Sequence, residues 1–274
     1  MGKTDVRAKL DSMSIVFIAL GVLILLFIFV PPLKTMVSSS PGAIWNTLLQ
    51  TEVYSSILLT IYAALVATLL GLLLGVPLAY ILSRHEFRGK RLLEGLIDVP
   101  IVMPHSAVGI ALLFVFGSRF LMGKFLNTIG IGFVDEVSAV VFAMMFVSVP
   151  FLIDSAKEGF NAVDVRLEKV ARTLGASPWR SFVRISLPLA WRSIFSGSVL
   201  MWARGFSEFG AVYIVAGHVP FFGYHPVAAP ILVTELFESP GGLGAAQPVT
   251  VLLIFICLVA FIVLRTVASR GAKA

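Results

Sequence analysis

Residues 53–83 read VYSSILLTIYAALVATLLGLLLGVPLAYILS, an unbroken stretch without a charged side chain. A helix rises about 1.5 Å per residue, so about 20 such residues already cross the roughly 30 Å hydrocarbon layer of a bilayer. Working outward, similar uncharged runs lie at Ser12–Leu33, Val99–Ser118, Val137–Ile153, around Ser193–Ala216 and at Ala245–Leu264. They predict an all-α, polytopic membrane protein with six transmembrane helices, at about 13–33, 54–83, 99–118, 137–154, 190–216 and 245–265, in one membrane domain covering 1–274. Composition agrees: 58% of residues are hydrophobic and 13% charged, against about 25% charged in soluble domains. A soluble fold is excluded, and the lipid bilayer is the first partner.

Lys3, Arg7 and Lys9 precede the apolar run Ser14–Val30, but that run continues into Pro31-Pro32 without a small-x-small cleavage signature and reads as an uncleaved first span. The net charge of +6 reports orientation and implies no nucleic acid. With six spans, seventeen of the 21 Lys and Arg fall on one face and three on the other, with Arg204 inside the membrane. The positive-inside rule then puts both termini, and the loops near 84–91 and 155–188, in the cytoplasm of a cell-membrane protein. Gly217–Gly244, without Lys or Arg, faces outward. Cys257 is the single cysteine; it excludes an intrachain disulfide and reads as packing.

The basic loop of about 155–188 contains FNAVDVRLEKVARTLGASPWRSFVRISL from Phe160 to Leu187. Leu167, Val170, Ala171 and Leu174 fall at i, i+3, i+4 and i+7, one face of a short helix. Asp164 suits its N-cap and Gly175 its left-handed C′ position. Ser177-Pro178 then starts a second short helix with Trp179, Phe182 and Val183 on one face. The pattern alone fits equally a hairpin lying on the bilayer surface or a protein-docking element.

Gly175, nine residues, then Ile185-Ser186-Leu187-Pro188 resembles the G-x9-I-x-L-P part of the EAA motif in membrane subunits of binding-protein-dependent ABC importers. The resemblance implies the type I importer permease fold, and it implies that this loop is a coupling helix that docks on a cytosolic ATPase. The coupling residues it implies are Glu158, Gly159, Val163, Asp164, Arg166, Leu167, Glu168, Lys169, Ala171, Arg172, Leu174, Gly175, Ala176, Ser177, Pro178, Ile185, Leu187 and Pro188. The sequence departs from the motif in having Lys169 where the family has Glu, with Glu168 one position earlier; Ala171 keeps the final alanine.

Asp98-Val-Pro-Ile-Val-Met-Pro-His105, Ala107-Val-Gly-Ile-Ala111 and Ser207-Glu-Phe-Gly-Ala211 resemble the sulfate and molybdate branch of those permeases, most of all archaeal-type molybdate/tungstate permeases. That implies a second copy of the chain, two cytosolic ABC ATPase subunits carrying ATP and Mg, and an extracytoplasmic oxyanion-binding protein. No cofactor is expected in this chain, which is a transport subunit and not an enzyme. Its nearest approach to a phosphate-binding loop, Gly117 to Phe125, has five residues between glycines in place of four and Phe125 in place of Ser or Thr. Sulfate stays open as the solute. A secondary transporter would need midplane carboxylates, and an intramembrane enzyme a converging polar cluster at recognisable spacing.

Arg204 and Glu208 stand i, i+4 in the fifth span and can neutralise one another. They fit either an internal ion pair or a contribution to the field along an anion pathway, with Gly205 and Gly210 allowing close helix approach. Pro104, His105, Gly109 and Ser207 complete the candidate gate. His105, directly after Pro104, suits a helix start, and Pro100 and Pro104 suit a helix break. His218 and His225 have no Cys or carboxylate beside them within their segment, so no metal site is expected.

Overall fold

A computed structural model describes residues 11–270; Lys3, Arg7, Lys9 and Lys273 lie outside them. Among the described residues the chain is helical throughout, with no strand and one isolated bridge pairing Phe221 with Tyr224. The helices are α1 (Ser12–Val37), α2 (Pro41–Leu48), α3 (Thr51–Arg84), α4 (Lys90–Val102), α5 (His105–Phe116), α6 (Leu121–Thr128) and α7 (Val137–Asn161). After these come α8 (Val165–Thr173), α9 (Pro178–Ser181), a π-helical segment (Phe182–Ser186), α10 (Leu187–Phe206), α11 (Gly210–Val215), α12 (Ala229–Glu238) and α13 (Gly242–Arg270).

The core is the packing of α7 between α3 and α10. Apolar burial does not drive helix pairing where the solvent is hydrocarbon, so close backbone approach at small residues does the work. Gly197 of α10 sits where an added Cβ would come within 2.6 Å of the Ser155 Cβ, and Gly75 of α3 packs on Ile153. Gly159 of α7 likewise has no room for a side chain beside Ser193. One buried hydroxyl bridges two helices: Thr60 donates to the Ser56 carbonyl and accepts from the Ala229 amide at 2.8 Å, seating the start of α12 on α3.

Four helices are separately long and apolar enough to cross a bilayer: Met13–Val37, Thr51–Arg84, Val137–Asn161 and Gly242–Ile262. The stretch expected as one span over 99–118 is instead divided between α4 and α5, which turn through 116° at Met103-Pro104. Pro104 adopts an extended conformation and cannot donate to a continuing helix. Counted as one bent span, the pair makes a fifth candidate. The stretch expected over 190–216 is also interrupted, at Ser207–Phe209 between α10 and α11. Helix α1 is apolar on all sides and exposed along its length, as a lipid-facing helix should be.

Candidate functional site

Two places combine polar chemistry with unusual backbone: the α8–α9 module at the basic end of the molecule, and the break between α10 and α11.

The module forms as its local sequence dictates. The Asp164 carboxylate accepts the Arg166 amide at 2.8 Å, capping α8. Gly175 takes φ +89°, and the Ala176 amide reaches back to the Ala171 carbonyl at 3.0 Å, a Schellman-type ending that needs a residue free to be left-handed. Ser177 Oγ accepts the Arg180 amide at 3.2 Å, and Pro178 opens α9. The second helix, however, does not stop: it widens into the π segment and runs on as α10. Pro188 explains the widening. Its ring would clash with the carbonyl four residues back, and the π turn, closed by the Leu187 amide on the Phe182 carbonyl, moves that carbonyl aside. Ile185-Ser186-Leu187-Pro188 is therefore the joint that converts the short helix into a long one.

Side-chain placement divides the expected coupling residues. Arg166, Leu167, Lys169, Arg172, Leu174, Gly175, Ser177 and Pro178 are exposed, as are Glu158, Asp164 and Pro188, while Ala171, Ala176, Ile185 and Leu187 are half-buried. Leu174 and Trp179, at 83% and 72% exposure, form an apolar ridge at the turn. Three of the expected coupling residues face inward and are not surface groups. Gly159 lies against α10, Val163 is buried, and Glu168 is only 4% exposed.

Glu168 is a hub. Its carboxylate accepts from Arg84 Nε at 2.8 Å, Ser186 Oγ at 2.8 Å and the Tyr80 hydroxyl at 2.9 Å, while a second Arg84 nitrogen donates to the Val163 carbonyl at 3.2 Å. One side chain thus ties α8 to the end of α3 and to the π segment. Burial pushes the Glu168 carboxyl up, but the three donors and the Arg84 charge outweigh it and hold the group below its ordinary range. Nothing local in the sequence marks this, because Arg84 and Tyr80 lie in another span. A second tie joins α7 to α4: Lys157 meets Glu94 at 3.2 Å, a partner 63 residues away that no local spacing marks, and Asp154 on its own helix at 3.7 Å.

At the other place, Arg204 and Glu208 pair at 3.3 Å, as their spacing allows. His105 joins them, its Nδ1 3.1 Å from Glu208 Oε2 and its Nε2 2.7 Å from an Arg204 nitrogen. The same Arg204 nitrogen also lies 3.2 Å from Nδ1, so both charged neighbours meet the ring. The second Glu208 oxygen accepts the Ala211 amide at 2.9 Å and so caps α11. Glu208 is 1% exposed, whereas the Arg204 and His105 side chains are 28% and 40% exposed. His105 does begin α5, as expected, but it is also the third member of the charge cluster. Gly210 and Gly109 make the meeting of α5 and α11 possible: a Cβ on either would lie 2.6 Å from the Cβ of His105 or of Ile214 respectively. Gly205 packs at Met144 and Ser148, well inside α7, one of the helices long and apolar enough to cross a membrane. Ser207 stands exposed at the break and donates to the Arg204 carbonyl at 3.0 Å.

Residues 71–272 match the family model described as binding-protein-dependent transport system inner membrane component. The molybdate/tungstate transport system permease protein WtpB of Pyrococcus furiosus is 42% identical over 266 residues, 96% of this chain and 98% of that one. WtpB of Methanocaldococcus jannaschii is 41% identical, covering 94% and 96%. The sulfate transport system permease protein CysT of Synechococcus elongatus is 30% identical, covering 87% and 86%. In fold, the chain superposes on a bacterial ABC transporter for import of the acidic polysaccharide alginate with TM-score 0.65, 18% identity and 94% of each chain covered. It also superposes on the MetNI methionine transporter with TM-score 0.60, 14% identity, and 86% and 100% covered. The chain belongs to the family of binding-protein-dependent transport system inner membrane components, alongside the WtpB permease proteins.

Proposed function

We propose that this chain is the pathway-forming subunit of an ATP-driven importer of molybdate or tungstate. Two copies enclose the pathway, two cytosolic ABC ATPase subunits supply the work, and an extracytoplasmic binding protein delivers the oxyanion. Six membrane crossings, with α4–α5 as the bent third and α10–α11 as the interrupted fifth, leave both termini and the α8–α9 module in the cytoplasm. ATP and Mg act on the partner subunits.

The observation that carries this function is the joint of α8, Gly175 and α9. It presents an exposed apolar ridge on a turn that Glu168 anchors to α3 and to the root of α10. A push on the ridge is passed to two membrane helices at once, which is what a coupling element has to do. The Arg204–His105–Glu208 cluster supports a pathway role. Half-exposed charge at membrane depth requires water or a second copy over it, since lipid would not solvate it. A buried counter-charge keeps such a site from holding a divalent oxyanion tightly, so the ion passes and does not stay.

Extraction in mild detergent tests the assembly: a separate ATPase accompanies the wild-type chain and is lost or uncoupled when Gly175 is replaced by a bulky residue. Normal uptake and normal ATPase retention in that variant would overturn the coupling assignment. The solute is tested through the partner binding protein, which should retain molybdate or tungstate. Sulfate is the second candidate, because sulfate permeases of 30–32% identity cover most of the chain, and retention of sulfate with release of molybdate would select it.

A further inference from the structure

A cleft of about 580 Å³ opens beside α8, between it, α9 and the end of α3. Its floor is apolar, formed by Pro77, Ile81 and Phe182, and its rim carries His85, Lys169 and Arg172. Arg84 also lines it but is spent on Glu168. Among the described residues neither Lys169 nor Arg172 has an acidic partner, and both are exposed. The structure therefore holds two unneutralised cations over an apolar floor.

The floor is continuous with an apolar track. Along α3, Leu65, Leu69, Leu73, Pro77 and Ile81 recur every four residues and all are exposed. Recurrence at four places them as one slowly winding row on the outside of the span. Helix α3 has 34 residues, about 51 Å at helical rise, which exceeds the roughly 30 Å hydrocarbon layer and reaches through the headgroup zone. The track thus runs within the hydrocarbon, and the cleft lies where headgroups begin.

We propose that this cleft binds an acidic phospholipid, with the phosphate on Lys169, Arg172 and His85 and the chains along the α3 track. A free anion would use the rim but leave the floor wet, and an acidic peptide would use the rim but not the track. Charge on the rim and continuity with a lipid-facing row select a ligand that is anionic at one end and apolar at the other. Because the site sits against the coupling module, such a lipid would brace α8. The proposal rests on α3 spanning the bilayer and not on which solute is transported or on ATPase docking.

Native mass spectrometry of the full chain, extracted in mild detergent with whatever ATPase accompanies it, tests the site by titration with phosphatidylglycerol and phosphatidylcholine. Phosphatidylglycerol is expected to be retained at least tenfold better. A basic residue near an anionic headgroup contributes about fivefold in affinity, so K169A/R172A should weaken phosphatidylglycerol binding about 25-fold while leaving phosphatidylcholine unchanged. Ile81→Trp, which fills the floor without altering charge, should also lower phosphatidylglycerol retention. The proposal is overturned if the two lipids bind equally, if K169A/R172A retains phosphatidylglycerol like the wild type, or if glycerol phosphate alone competes as well as the whole lipid. It is also overturned if Ile81→Cys, in a Cys257→Ala background, cross-links efficiently between two copies, which would place the track in a subunit interface. Both substituted rim residues are exposed, and size-exclusion chromatography checks that the variants stay folded. Lys169 and Arg172 also belong to the expected coupling residues, so the two readings are separated at Ile81, which does not: loss of phosphatidylglycerol in Ile81→Trp with ATPase retention unchanged supports the lipid site and leaves the coupling assignment standing, and unchanged phosphatidylglycerol retention in that variant overturns the lipid site.

Discussion

Replacing Glu168 with alanine should release α8 from the membrane helices while the bundle stays intact. The substitution leaves the Arg84 guanidinium, whose side chain is 7% exposed, and the fully buried Ser186 hydroxyl without their acceptor. Removing one member of a buried ion pair costs roughly 3–5 kcal/mol, mainly because the surviving charge stays buried and unpaired. The outward face of α8 is exposed and offers no second anchor to offset that loss, so the cost should appear as local opening and not as global unfolding. At about 1.4 kcal/mol per tenfold, amide protection in α8 should fall by roughly 10²-fold to 4 × 10³-fold in hydrogen exchange of the detergent-solubilised protein, with α3 and α7 little changed. Glu168→Gln keeps the shape and loses the charge, and should cost about 1.5–3 kcal/mol. Removing both partners, in an E168L/R84M variant, should recover much of the protection, because matched apolar replacements of a buried pair are often close to neutral. Unchanged α8 protection in E168A, or a double-mutant coupling near zero between positions 84 and 168, would refute the hub.

Other outcomes follow from the same geometry. Glu168 is held below its ordinary value of 4.5, so the folded state binds fewer protons there than the unfolded state. The hub's contribution is accordingly complete above about pH 4.5 and lost as pH falls through the lower folded value; α8 protection should be flat from pH 5 to 8 and collapse in acid. Gly175→Ile should cost about 1–2 kcal/mol for forcing a branched residue to φ +89°, with Gly175→Asn distinctly milder; thermal melting of both variants measures the difference. Glu208→Leu leaves Arg204 and His105 facing each other without their buried carboxylate, and should destabilise the solubilised chain by about 3–5 kcal/mol, read as loss of the folded peak on heating. Gly109→Leu should be comparably disruptive, because its first side-chain carbon would already meet Ile214, and reduced expression of folded protein would show it.

The helical ends at the coupling module were legible in the sequence because caps are local: Asp164, Gly175 and Ser177-Pro178 act on amides two to five residues away. The apolar faces of the two short helices were legible for the same reason, since i, i+3, i+4 spacing fixes a helix face whatever lies opposite, but the ridge that Leu174 and Trp179 form across the turn was not. The continuous helix from α9 into α10 was not. It depends on how the chain relieves the clash at Pro188, and a π turn is one solution among several. Nor was the 116° turn within the expected 99–118 span, because hydropathy measures composition over a window and carries no direction. Pro104 marked a break but not an angle.

By itself the sequence determined that the chain lies in a membrane, where its apolar runs fall, and which short segment carries the Gly175 to Pro188 signature, all of which are properties of neighbours along the chain. Only the tertiary structure decided that Glu168 turns inward and that His105 completes the Arg204–Glu208 pair, for their partners lie 84 and 99 residues away. A carboxylate has the same local context whether it points to solvent or to a buried arginine. What separates the two is which helices pack together, and in a bilayer that is settled by glycine-sized clearances between spans such as those at Gly159, Gly197 and Gly210.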